Sequence, residues 1–516
     1  MTNEKWLNIP PEAAGKRLSD YLNLQGHAFS APCGGRGVCK KCRIKVVSGA
    51  FGMVGDPEQK LLPDAQGYIL SCQAVCPKEG AVVVLPDYAG DGLTAYETGS
   101  AEKAVSGSGI YGVALDIGTT TLAAALVDCE SGQVLASASR LNPQQSFGAD
   151  VISRISACKD GHLEEQQRVI LQAAARMIGE LREKAGVTAT LQTMTVSGNT
   201  TMLHLFCGVS PESMGAYPFT PAFIETKRLS GEALGLEVRD VIVLPSASAF
   251  IGSDVIGGIL VSGLTALAEP SVLIDLGTNG EMALCTGTAQ GGKLITTSTA
   301  AGPALEGATI SCGMGGVAGA VSQVKQVAAE LLQYRTIGDA PAVGVCGCGL
   351  IDLMAYLLES EQMDDTGYLE EEPFVLTGMH KTEAGLSAVK ETAVSLTQKD
   401  VREFQLAKSA IRAGFEALVD KAGLTPEDIG QIFIAGGLGY YWDTKTAAKV
   451  GILAEEVLPA VKAVGNSSLA GAIACLTGGA NVERMEQIAR SCEAFELNKS
   501  PVFNDGFIEY MLFPEV

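Results

Sequence analysis

Two stretches of this chain share one pattern, and that repeat constrains the fold more strongly than any other feature. Residues 112–128 read GVALDIGTTTLAAALVD, and residues 271–287 read SVLIDLGTNGEMALCTG. In each stretch an apolar run leads to an aspartate, one further apolar residue, Gly-Thr, a turn and a second apolar run. Two apolar runs joined by a glycine turn are typical of a β-hairpin. The repeat therefore predicts two equivalent hairpins in two related halves of one structure.

Further matches between the halves extend the repeat. The hairpin aspartates are Asp116 and Asp275, which lie 159 positions apart. In the first half we predict a helical stretch over 151–184 and strands over 193–199 and 241–246. Their predicted partners in the second half are, in the same order, a helical stretch over 317–333 and strands over 342–349 and 432–437. This order predicts an α/β fold made of duplicated βββαβαβα halves, over about 110–268 and about 269–516.

Four cysteines near the N-terminus form a second informative pattern. Cys33, Cys39 and Cys42 lie on a glycine-rich loop with gaps of five and two residues, and Cys72 follows after 29 more. Three thiolates on one loop and a distant fourth are typical of a plant-type [2Fe–2S] site. Glycine lets the main chain approach the sulfurs of such a cluster closely, because it has no Cβ. The first gap is five residues rather than four, which looks more like the adrenodoxin-type variant of the same fold.

Two alternatives to this ligand set stay open. Zinc sites usually use two CxxC pairs, and here only Cys39 and Cys42 form one, so the spacing favours a cluster over zinc. Cys76 lies four residues after Cys72 and could replace it as the fourth ligand, although Cys72 fits the spacing better. The chain has 14 cysteines, which indicates a reducing, cytoplasmic environment where thiols serve as ligands or core residues.

Composition narrows the functional classes. Hydrophobic residues make up 47% of the 516 residues and charged residues 18%, which is typical of a globular chain with more than one domain. The net charge of −21 disfavours binding to nucleic acid or to anionic membrane surfaces. The first residues lack the apolar stretch of a signal peptide. Glycines, Glu269 and Pro270 interrupt the most apolar region, 255–274, which therefore reads as buried helix, loop and strand.

A polar stretch separates the two patterns. Residues 88–109 are rich in Gly, Ser, Ala and acidic residues and lack an apolar period, as is typical of a flexible linker. Before it, residues 1–87 predict a compact α+β domain with a strand near Trp6, a helix near residues 18–22 and a closing strand at 81–86. After it, residues 110–516 predict the duplicated α/β domain.

The two hairpins, together with AGGLG at 435–439, resemble the actin, sugar-kinase and Hsp70 superfamily of ATPases (ASKHA), which has a ribonuclease H-like fold. The resemblance implies that the two halves close over ATP, with hairpin N–H groups and hydroxyls on the phosphates, as glycine-rich N–H nests bind anions. It also implies that the aspartates hold Mg²⁺, mostly through water, as that ion prefers. The implied phosphate-binding residues are Gly118, Thr119, Thr120, Gly277, Thr278 and Asn279, and the implied catalytic aspartates are Asp116 and Asp275.

Further candidates lie outside the hairpin turns. Gly302, in AAGP, follows the third predicted strand and is expected near the phosphates, because ASKHA proteins place a glycine turn there. Gly436 and Gly437 are expected to face the nucleotide. Glu281 could position the attacking water as a catalytic residue, or it could be a surface carboxylate of the hairpin strand. His204, inside the apolar stretch MLHLF, is expected to be a core histidine.

Four longer stretches resemble one family within that superfamily. They are YPFTPAF at 217–223, STAAGPALEGATISCGM at 298–314, VCGCGLIDLMAYLL at 345–358 and AGGLGYYWDTKTAAKVGIL at 435–453. With the cysteine pattern, they are similar to the reductive activators of corrinoid proteins. Members of that family carry a β-grasp, ferredoxin-like [2Fe–2S] domain ahead of an ASKHA domain. Here only the short linker separates the cluster domain from the first hairpin, where longer members of the family carry an additional domain.

The resemblance implies a function in electron transfer. We expect the protein to use Mg-ATP and to pass one electron from a [2Fe–2S] cluster to Co(II) of a corrinoid protein, regenerating Co(I) for methyl transfer. An external low-potential electron donor and a homodimer are also implied. Two alternatives stay open: an ASKHA-type electron activator of a different low-potential enzyme, and a small-molecule kinase with an attached redox domain.

Overall fold

The computed structural model describes residues 5–25, 37, 40, 42–85, 109–328, 331–389, 392–436 and 443–514. Of the predicted site residues, Cys33, Cys39 and Gly437 lie outside these ranges. Residues 88–108 of the predicted linker also lie outside them. Among the described helices, none combines the length and the apolar character needed to span a lipid bilayer.

The N-terminal part is a small α+β unit built around one helix. Its elements are β1 (Lys5–Ile9), α1 (Leu18–Leu24), β2 (Arg43–Ser48), β3 (Gly52–Met53), β4 (Asp56–Lys60), β5 (Tyr68–Leu70), β6 (Ala74–Val75) and β7 (Ala81–Leu85). The main sheet has the order β1-β7-β2-β5 with antiparallel neighbours, and β4-β3-β6 form a second sheet. Leu18 and Leu22 of α1 share one buried core with Ile44 and Val83 of the main sheet. The predicted first strand, helix and closing strand are confirmed.

The first half of the C-terminal part is a six-stranded sheet with helices. Its elements are β8 (Tyr111–Ile117), β9 (Thr121–Asp128), β10 (Val134–Leu141), α2 (Val151–Lys159), α3 (Leu163–Ala185), β11 (Leu191–Gly198), α4 (Thr200–Cys207), β12 (Lys227–Ser230), β13 (Val238–Val243) and α5 (Ser253–Ser262). The sheet order is β10-β9-β8-β11-β13-β12. Every residue of β8 is buried, which explains why this strand is a continuous apolar run rather than an alternating one.

The second half has its own six-stranded sheet and an insertion. Its elements are β14 (Ser271–Leu276), β15 (Gly280–Cys285), β16 (Leu294–Thr299), β17 (Ala320–Ala328), β18 (Leu331–Thr336), β19 (Gly344–Val345), α6 (Gly347–Glu359), β20 (Phe374–Val375), β21 (Gly378–Thr382), β22 (Gly385–Val389), β23 (Ser395–Leu396), α7 (Gln398–Lys421), β24 (Gln431–Ala435), α8 (Thr444–Lys449), β25 (Val461–Gly465), α9 (Ser467–Thr477), α10 (Asn481–Ser491), β26 (Cys492–Ala494) and α11 (Pro501–Glu509). The sheet order is β25-β24-β14-β15-β16-β26.

The two sheets repeat one pairing scheme. In the first half, β8, β9 and β10 form an antiparallel meander, and β11 lies parallel between β8 and β13. In the second half, β14, β15 and β16 form the same meander, and β24 lies parallel between β14 and β25. Each scheme ends in a helix, α5 or α9. The duplication predicted from the two hairpins is therefore present.

The predicted partners of two strands in this duplication are wrong. The strand expected over 342–349 is only the short β19, which lies at the edge of a separate sheet with the order β19-β17-β18-β21-β22. The equivalent of β11 is β24, because each lies parallel beside the strand that carries the hairpin aspartate. The equivalent of β13 is accordingly β25. An inserted sheet adds extra strands in chain order, and a short apolar run does not reveal which sheet it joins.

The helix predicted over 317–333 is also wrong. This region forms β17 and β18, which pair as an antiparallel hairpin. In β18 the side chains of Leu332, Tyr334 and Thr336 are buried and their neighbours are more exposed. That two-residue alternation is the pattern of a strand with one covered face, and it outweighs the helix propensity of the Ala, Glu and Leu residues here.

The two halves meet along α5 and α9, whose contact depends on glycine. A Cβ on Gly471 of α9 would lie 2.5 Å from the Cα of Gly257 of α5. Such a distance is shorter than any real Cβ contact, so the two backbones touch directly. Small residues at a helix crossing allow this close approach. The hairpin turns after β8 and β14 lie close together, because Thr120 and Thr278 both hydrogen-bond to Glu306. We call the region between these turns the cleft, since ligands of open α/β sheets bind at the carboxyl ends of the strands.

Candidate functional site

The two hairpin aspartates occupy equivalent positions at the edge of the cleft. Asp116 is the penultimate residue of β8 and lies beside Ser197 of β11. Asp275 is the penultimate residue of β14 and lies beside Ala435 of β24. Because both strands end here, the turns at 118–120 and 277–279 face the cleft directly after these carboxylates.

Glycine is required at three positions of the predicted site, each for a different structural reason. A Cβ on Gly118 would lie 2.6 Å from the carbonyl oxygen of Thr121, so the first turn is too tight for a side chain. Gly436 has a φ of +97°, and a Cβ there would lie 2.4 Å from the Leu276 carbonyl oxygen and 3.1 Å from Oδ1 of Asp275. Gly302 has a φ of +74° and open space around the position of its Cβ. Thus Gly436 packs against the second hairpin, whereas Gly302 is required by its positive φ rather than by a close neighbour.

Side chains of one stretch, residues 142–154, hold the first turn in place, and we call this stretch the bracing segment. Asn142 Nδ2 donates to the Gly118 carbonyl oxygen at 2.8 Å, and Gln145 Nε2 donates to that of Thr120 at 3.0 Å. Arg154, which is fully buried, donates from Nη2 to the Thr119 carbonyl oxygen at 2.5 Å. With its carbonyl oxygens bound in this way, the turn keeps its N–H groups for an anion in the cleft.

The first aspartate is bound by the opposite half of the protein. Asn466 Nδ2 donates to Oδ2 of Asp116 at 2.7 Å, and Ser468 Oγ donates to Oδ1 at 2.6 Å. Both donors lie at the start of α9, where Asn466 also caps the helix by accepting from the Leu469 N–H. Burial raises the pKa of Asp116, and the bonds from Ser468 and Asn466 oppose that rise. The carboxylate therefore links the two halves at the base of the cleft.

The second aspartate lies among other carboxylates. Burial, followed by the charges of Asp254, Asp116 and Glu306, raises the pKa of Asp275 to about 8. Burial and the charge of Asp116 raise the pKa of Asp254, at the start of α5, to about 7. Glu281 accepts hydrogen bonds from Asn279 and Ser298, and burial with the charges of Asp254 and Asp275 raises its pKa. Glu281 thus belongs to this acidic group rather than to the outer surface of its strand.

The acidic group has the chemistry of a hydrated magnesium site. Carboxylate oxygens are the donors that Mg²⁺ takes from proteins, and they lower one another's tendency to ionise until a cation neutralises them. Within the described residues, no three His, Cys, Asp or Glu side chains are arranged to ligate one ion directly. Mg²⁺ usually keeps several water molecules and takes only one or two carboxylates, so it does not require three direct ligands.

One carboxylate bridges the two hairpins. Glu306 Oε2 accepts a hydrogen bond of 2.9 Å from Oγ1 of Thr120 and one of 2.6 Å from Oγ1 of Thr278. Burial raises the pKa of Glu306, while the two threonine bonds and the charge of Arg154 oppose that rise. Sequence reasoning did not single out Glu306, although it follows closely on the Gly302 turn.

Two other residues near the first turn have clear structural roles. Asn199 caps α4 by accepting from the Met202 N–H, and its Nδ2 donates to Oγ1 of Thr119 at 3.0 Å. His204 is fully buried, with Nδ1 2.7 Å from the Thr200 carbonyl oxygen and Nε2 accepting from the Ala222 N–H at 3.1 Å. Its interpretation as a satisfied core histidine agrees with these contacts.

Two of the four predicted cluster ligands are described, and they lie together. Cys42 and Cys72 are both buried, and a hydrogen bond between their thiols is the largest cause that lowers the pKa of Cys42 to about 6. Gly37, with a φ of +76°, packs so closely on Gln73 that a Cβ would lie 2.9 Å from Cγ of that side chain. This contact places Gly37 beside the residue that follows Cys72. Two adjacent buried thiols fit a thiolate-bound cluster.

Cys76 has a different environment. Its side chain is buried, and burial raises the pKa of the thiol to about 11. Its N–H donates to the Lys16 carbonyl oxygen and its own carbonyl oxygen accepts from the Gly15 N–H. Cys72 is the one of these two cysteines that hydrogen-bonds to Cys42, whereas the buried Cys76 thiol resists ionisation.

The bracing segment also reaches the N-terminal unit. Ser146 and Phe147 line a cavity of about 530 Å³ whose other walls include Arg17 and Asp20 of that unit and Glu165 of α3. Burial raises the pKa of Asp20, and the charge of Arg17 opposes that rise. The same short stretch therefore contacts the first hairpin turn on one side and the cysteine-bearing unit on the other.

Comparisons with known families cover nearly the whole chain. The family described as the C-terminal domain of RACo, the ASKHA domain, matches residues 269–516. The RACo middle region matches residues 111–266, and the 2Fe-2S iron–sulfur cluster binding domain matches residues 3–76. The predicted [2Fe–2S] ferredoxin-like and ASKHA folds, with ATP binding by the latter, are thereby confirmed.

Individual relatives agree with these matches. The corrinoid activation enzyme RamQ of Eubacterium limosum is 32% identical over 424 residues, which cover 78% of this chain and 70% of the relative. The Co(II) methylated amine-specific corrinoid protein reductase of Methanosarcina barkeri is 27% identical over 445 residues, covering 77% of this chain and 76% of the relative. A solved reductive activator for a corrinoid, iron–sulfur protein is 28% identical with a TM-score of 0.71, covering 99% of this chain and 97% of that one. This chain therefore belongs to the RACo family of reductive activators of corrinoid proteins.

Proposed function

We propose that this protein is an ATP-dependent reductive activator that returns the cobalt of a corrinoid protein from Co(II) to Co(I). The observation that carries this proposal is the presence, in one chain, of a ferredoxin-type cysteine pair and a two-hairpin ATPase cleft. A [2Fe–2S] cluster, when bound, would supply the one-electron chemistry. The corrinoid cobalt is the substrate, and its Co(I) form is the one that accepts a methyl group.

ATP is needed because this electron transfer runs uphill. Ferredoxin-type clusters have potentials near −400 mV, and Co(II)/Co(I) couples are more negative. For one electron, about 59 mV corresponds to a tenfold change in the equilibrium constant. A gap of order 100 mV therefore needs only about two powers of ten of differential binding between two states of the complex. Closure of the two halves over ATP would provide such a pair of states.

The roles of individual residues follow from their places in the cleft. We assign phosphate binding to the turns that carry Gly118, Thr119, Thr120, Gly277, Thr278 and Asn279, with Gly302, Gly436 and Gly437 around the nucleotide. Asp116 and Asp275 would hold Mg²⁺ through water, and Glu281 would orient the attacking water. Cys33, Cys39, Cys42 and Cys72 would ligate the cluster. The acidic group and the Cys42–Cys72 contact support these assignments.

We also propose how the parts and partners are organised. Residues 1–87 form the cluster domain, 88–109 the linker and 110–516 the ATPase domain, which acts as a homodimer with an external low-potential donor. The likeness of the whole chain to a solved activator supports this order of domains. None of the 12 cysteines in the described residues forms a disulfide, which supports a location in the reducing cytoplasm.

One reconstitution tests the function. The full chain would be purified without oxygen, reduced with titanium(III) citrate and mixed with a relative's Co(II) corrinoid protein, and Co(I) would be followed by visible absorption. We expect Co(I) to form with Mg-ATP, and far less with a non-hydrolysable analogue. The Asp275→Asn variant should keep its cluster but lose the Co(I) formation that depends on ATP. Equal rate and extent of Co(I) formation without ATP would contradict the proposal.

A further inference from the structure

The bridge made by Glu306 spans the two halves of the ATPase cleft. Thr120 belongs to the first hairpin turn, and Thr278 belongs to the second. Glu306 itself follows β16 of the second half, and the Thr120 bond joins residues 186 positions apart in sequence. A single carboxylate oxygen, Oε2, accepts both bonds, so this atom lies between the tips of the two hairpins.

A phosphate bound between the two hairpin turns would have to occupy the place of Glu306 Oε2. A hydroxyl group has one proton to donate, and both threonine protons are directed at Glu306. A phosphate oxygen between the turns would need the same two protons. It would also meet the negative charge of the carboxylate at close range, in a cleft where burial weakens screening by solvent. Glu306 and a phosphate therefore compete for one place.

Other residues of the turns are held differently. The hydroxyl of Thr119 accepts a hydrogen bond from Asn199, which leaves its proton for a ligand. Asn279 donates to Glu281 within its own hairpin. The charge of Arg154, a residue of the bracing segment, acts on Glu306 from the first half. The competition is thus confined to Thr120 and Thr278, one from each half.

We propose that Glu306 is a positioning residue that occupies the γ-phosphate place in the nucleotide-free protein. When ATP binds, the two threonine hydroxyls exchange the carboxylate oxygen for oxygens of the terminal phosphate, and Glu306 moves aside. ADP lacks that phosphate and leaves the bridge intact. The exchange makes the contact between the hairpins depend on which nucleotide is bound. This inference rests on the proposed use of ATP.

The test is the affinity for two nucleotides in the full chain. Glu306→Gln keeps the shape of the side chain and removes its charge. We expect it to bind a non-hydrolysable ATP analogue about tenfold more tightly than the natural chain does, since a competing bond to a charged acceptor is weakened. Its affinity for ADP should change less than about threefold. The exposed Glu130→Gln is the matched control and should change neither value.

The opposite sign would overturn the proposal. If Glu306 were instead a base or a magnesium-binding group, Glu306→Gln would bind the analogue equally or more weakly, and the turnover number for ATP would fall rather than the Michaelis constant. Equal tightening for ADP and the analogue would also overturn it. If Glu306→Gln unfolds at a lower temperature than the control, Glu306→Ala is measured against the same criteria. Failure of the natural chain to bind any nucleotide would instead reject the proposed function.

Discussion

Ser468 donates a hydrogen bond of 2.6 Å to Asp116 from the opposite half of the duplicated α/β structure. It is the second residue of α9, and the second residue of the equivalent helix α5 is Asp254. The duplicated halves therefore differ at a key position. One aspartate receives a hydroxyl proton, whereas the other faces a second carboxylate whose charge raises its pKa. The two hairpins are equivalent in backbone and unequal in electrostatics.

Removing the donor should weaken the use of ATP. In Ser468→Ala, Asp116 loses a hydrogen bond that favours its ionised form, so the pKa of Asp116 should rise further. We expect the kcat/KM for ATP hydrolysis to fall about tenfold, the effect of losing one hydrogen bond to a charged group. Added Mg²⁺ should restore part of the loss. Ser491→Ala, at the exposed end of α10, is the control and should hydrolyse ATP normally.

Two cysteine variants should separate ligand from core residue. Cys72→Ser should lose most of the iron and acid-labile sulfide, because Cys72 is adjacent to Cys42 and thiolate ligands hold such clusters. Cys76→Ser should retain both, because burial holds the Cys76 thiol in its protonated form. Iron and sulfide analysis with electron paramagnetic resonance of the reduced protein measures this difference. Loss of the cluster in Cys76→Ser but not in Cys72→Ser would assign the fourth ligand to Cys76.

The acidic group should make stability depend on pH. Asp254 has a folded-state pKa of about 7 and Asp275 one of about 8, against about 3.9 in an unfolded chain. At pH values between the unfolded and the folded pKa, the folded protein binds more protons than the unfolded chain does. The free energy of unfolding therefore falls as the pH rises through this range. Without metal, the melting temperature should therefore fall as the pH rises from about 4 to about 8.

The dependence of melting temperature on pH can be compared between the natural chain, a variant and the nucleotide complex. Asp254→Asn removes one of these two titrating groups, so the fall in melting temperature with pH should be shallower than in the natural chain. Saturating Mg-ADP should flatten the curve of the natural chain, since a bound cation favours the ionised carboxylates. Parallel curves for the variant and the natural chain would show that Asp254 ionises normally.

The glycine contact between the halves should not tolerate a methyl group. In Gly471→Ala the new Cβ would meet the Cα of Gly257 at 2.5 Å, so α5 and α9 would have to separate. Overpacking of this kind costs about 1–3 kcal/mol of stability, and thermal or urea unfolding measures it. The control is Gly179→Ala in α3, where nothing lies within 4 Å of the new Cβ. That change should be neutral or stabilising by up to about 1 kcal/mol.

Local patterns predicted the parts of this fold that depend on local sequence. The hairpins around Asp116 and Asp275, the helices over 151–184 and the cysteine-bearing unit all come from short-range signals. The inserted sheet was missed because residues 317–333 contain many good helix formers, although their buried side chains alternate. The strand at 342–349 was assigned to the wrong sheet because chain order is no guide once an insertion intervenes.

The missed residues of the site act over long distances in sequence. Ser468 reaches Asp116 across 352 positions, and Glu306 reaches Thr120 across 186. No local period marks such a partner, and a serine or glutamate near a glycine is common. One signal was available for Asp254: it opens a glycine-rich apolar helix that matches the one after Ser467, so the duplication could have directed attention to it.

The bracing segment connects the first hairpin turn directly with the N-terminal unit. Asn142, Gln145 and Arg154 hydrogen-bond to the turn that would receive phosphate, while Phe147 lines the cavity next to the unit that would hold iron and sulfur. A shift of that turn on nucleotide exchange would reach the N-terminal unit through this one segment, which connects β10 to the first turn of α2. ATP hydrolysis and electron transfer would then be coupled without a structural change passing through the second half.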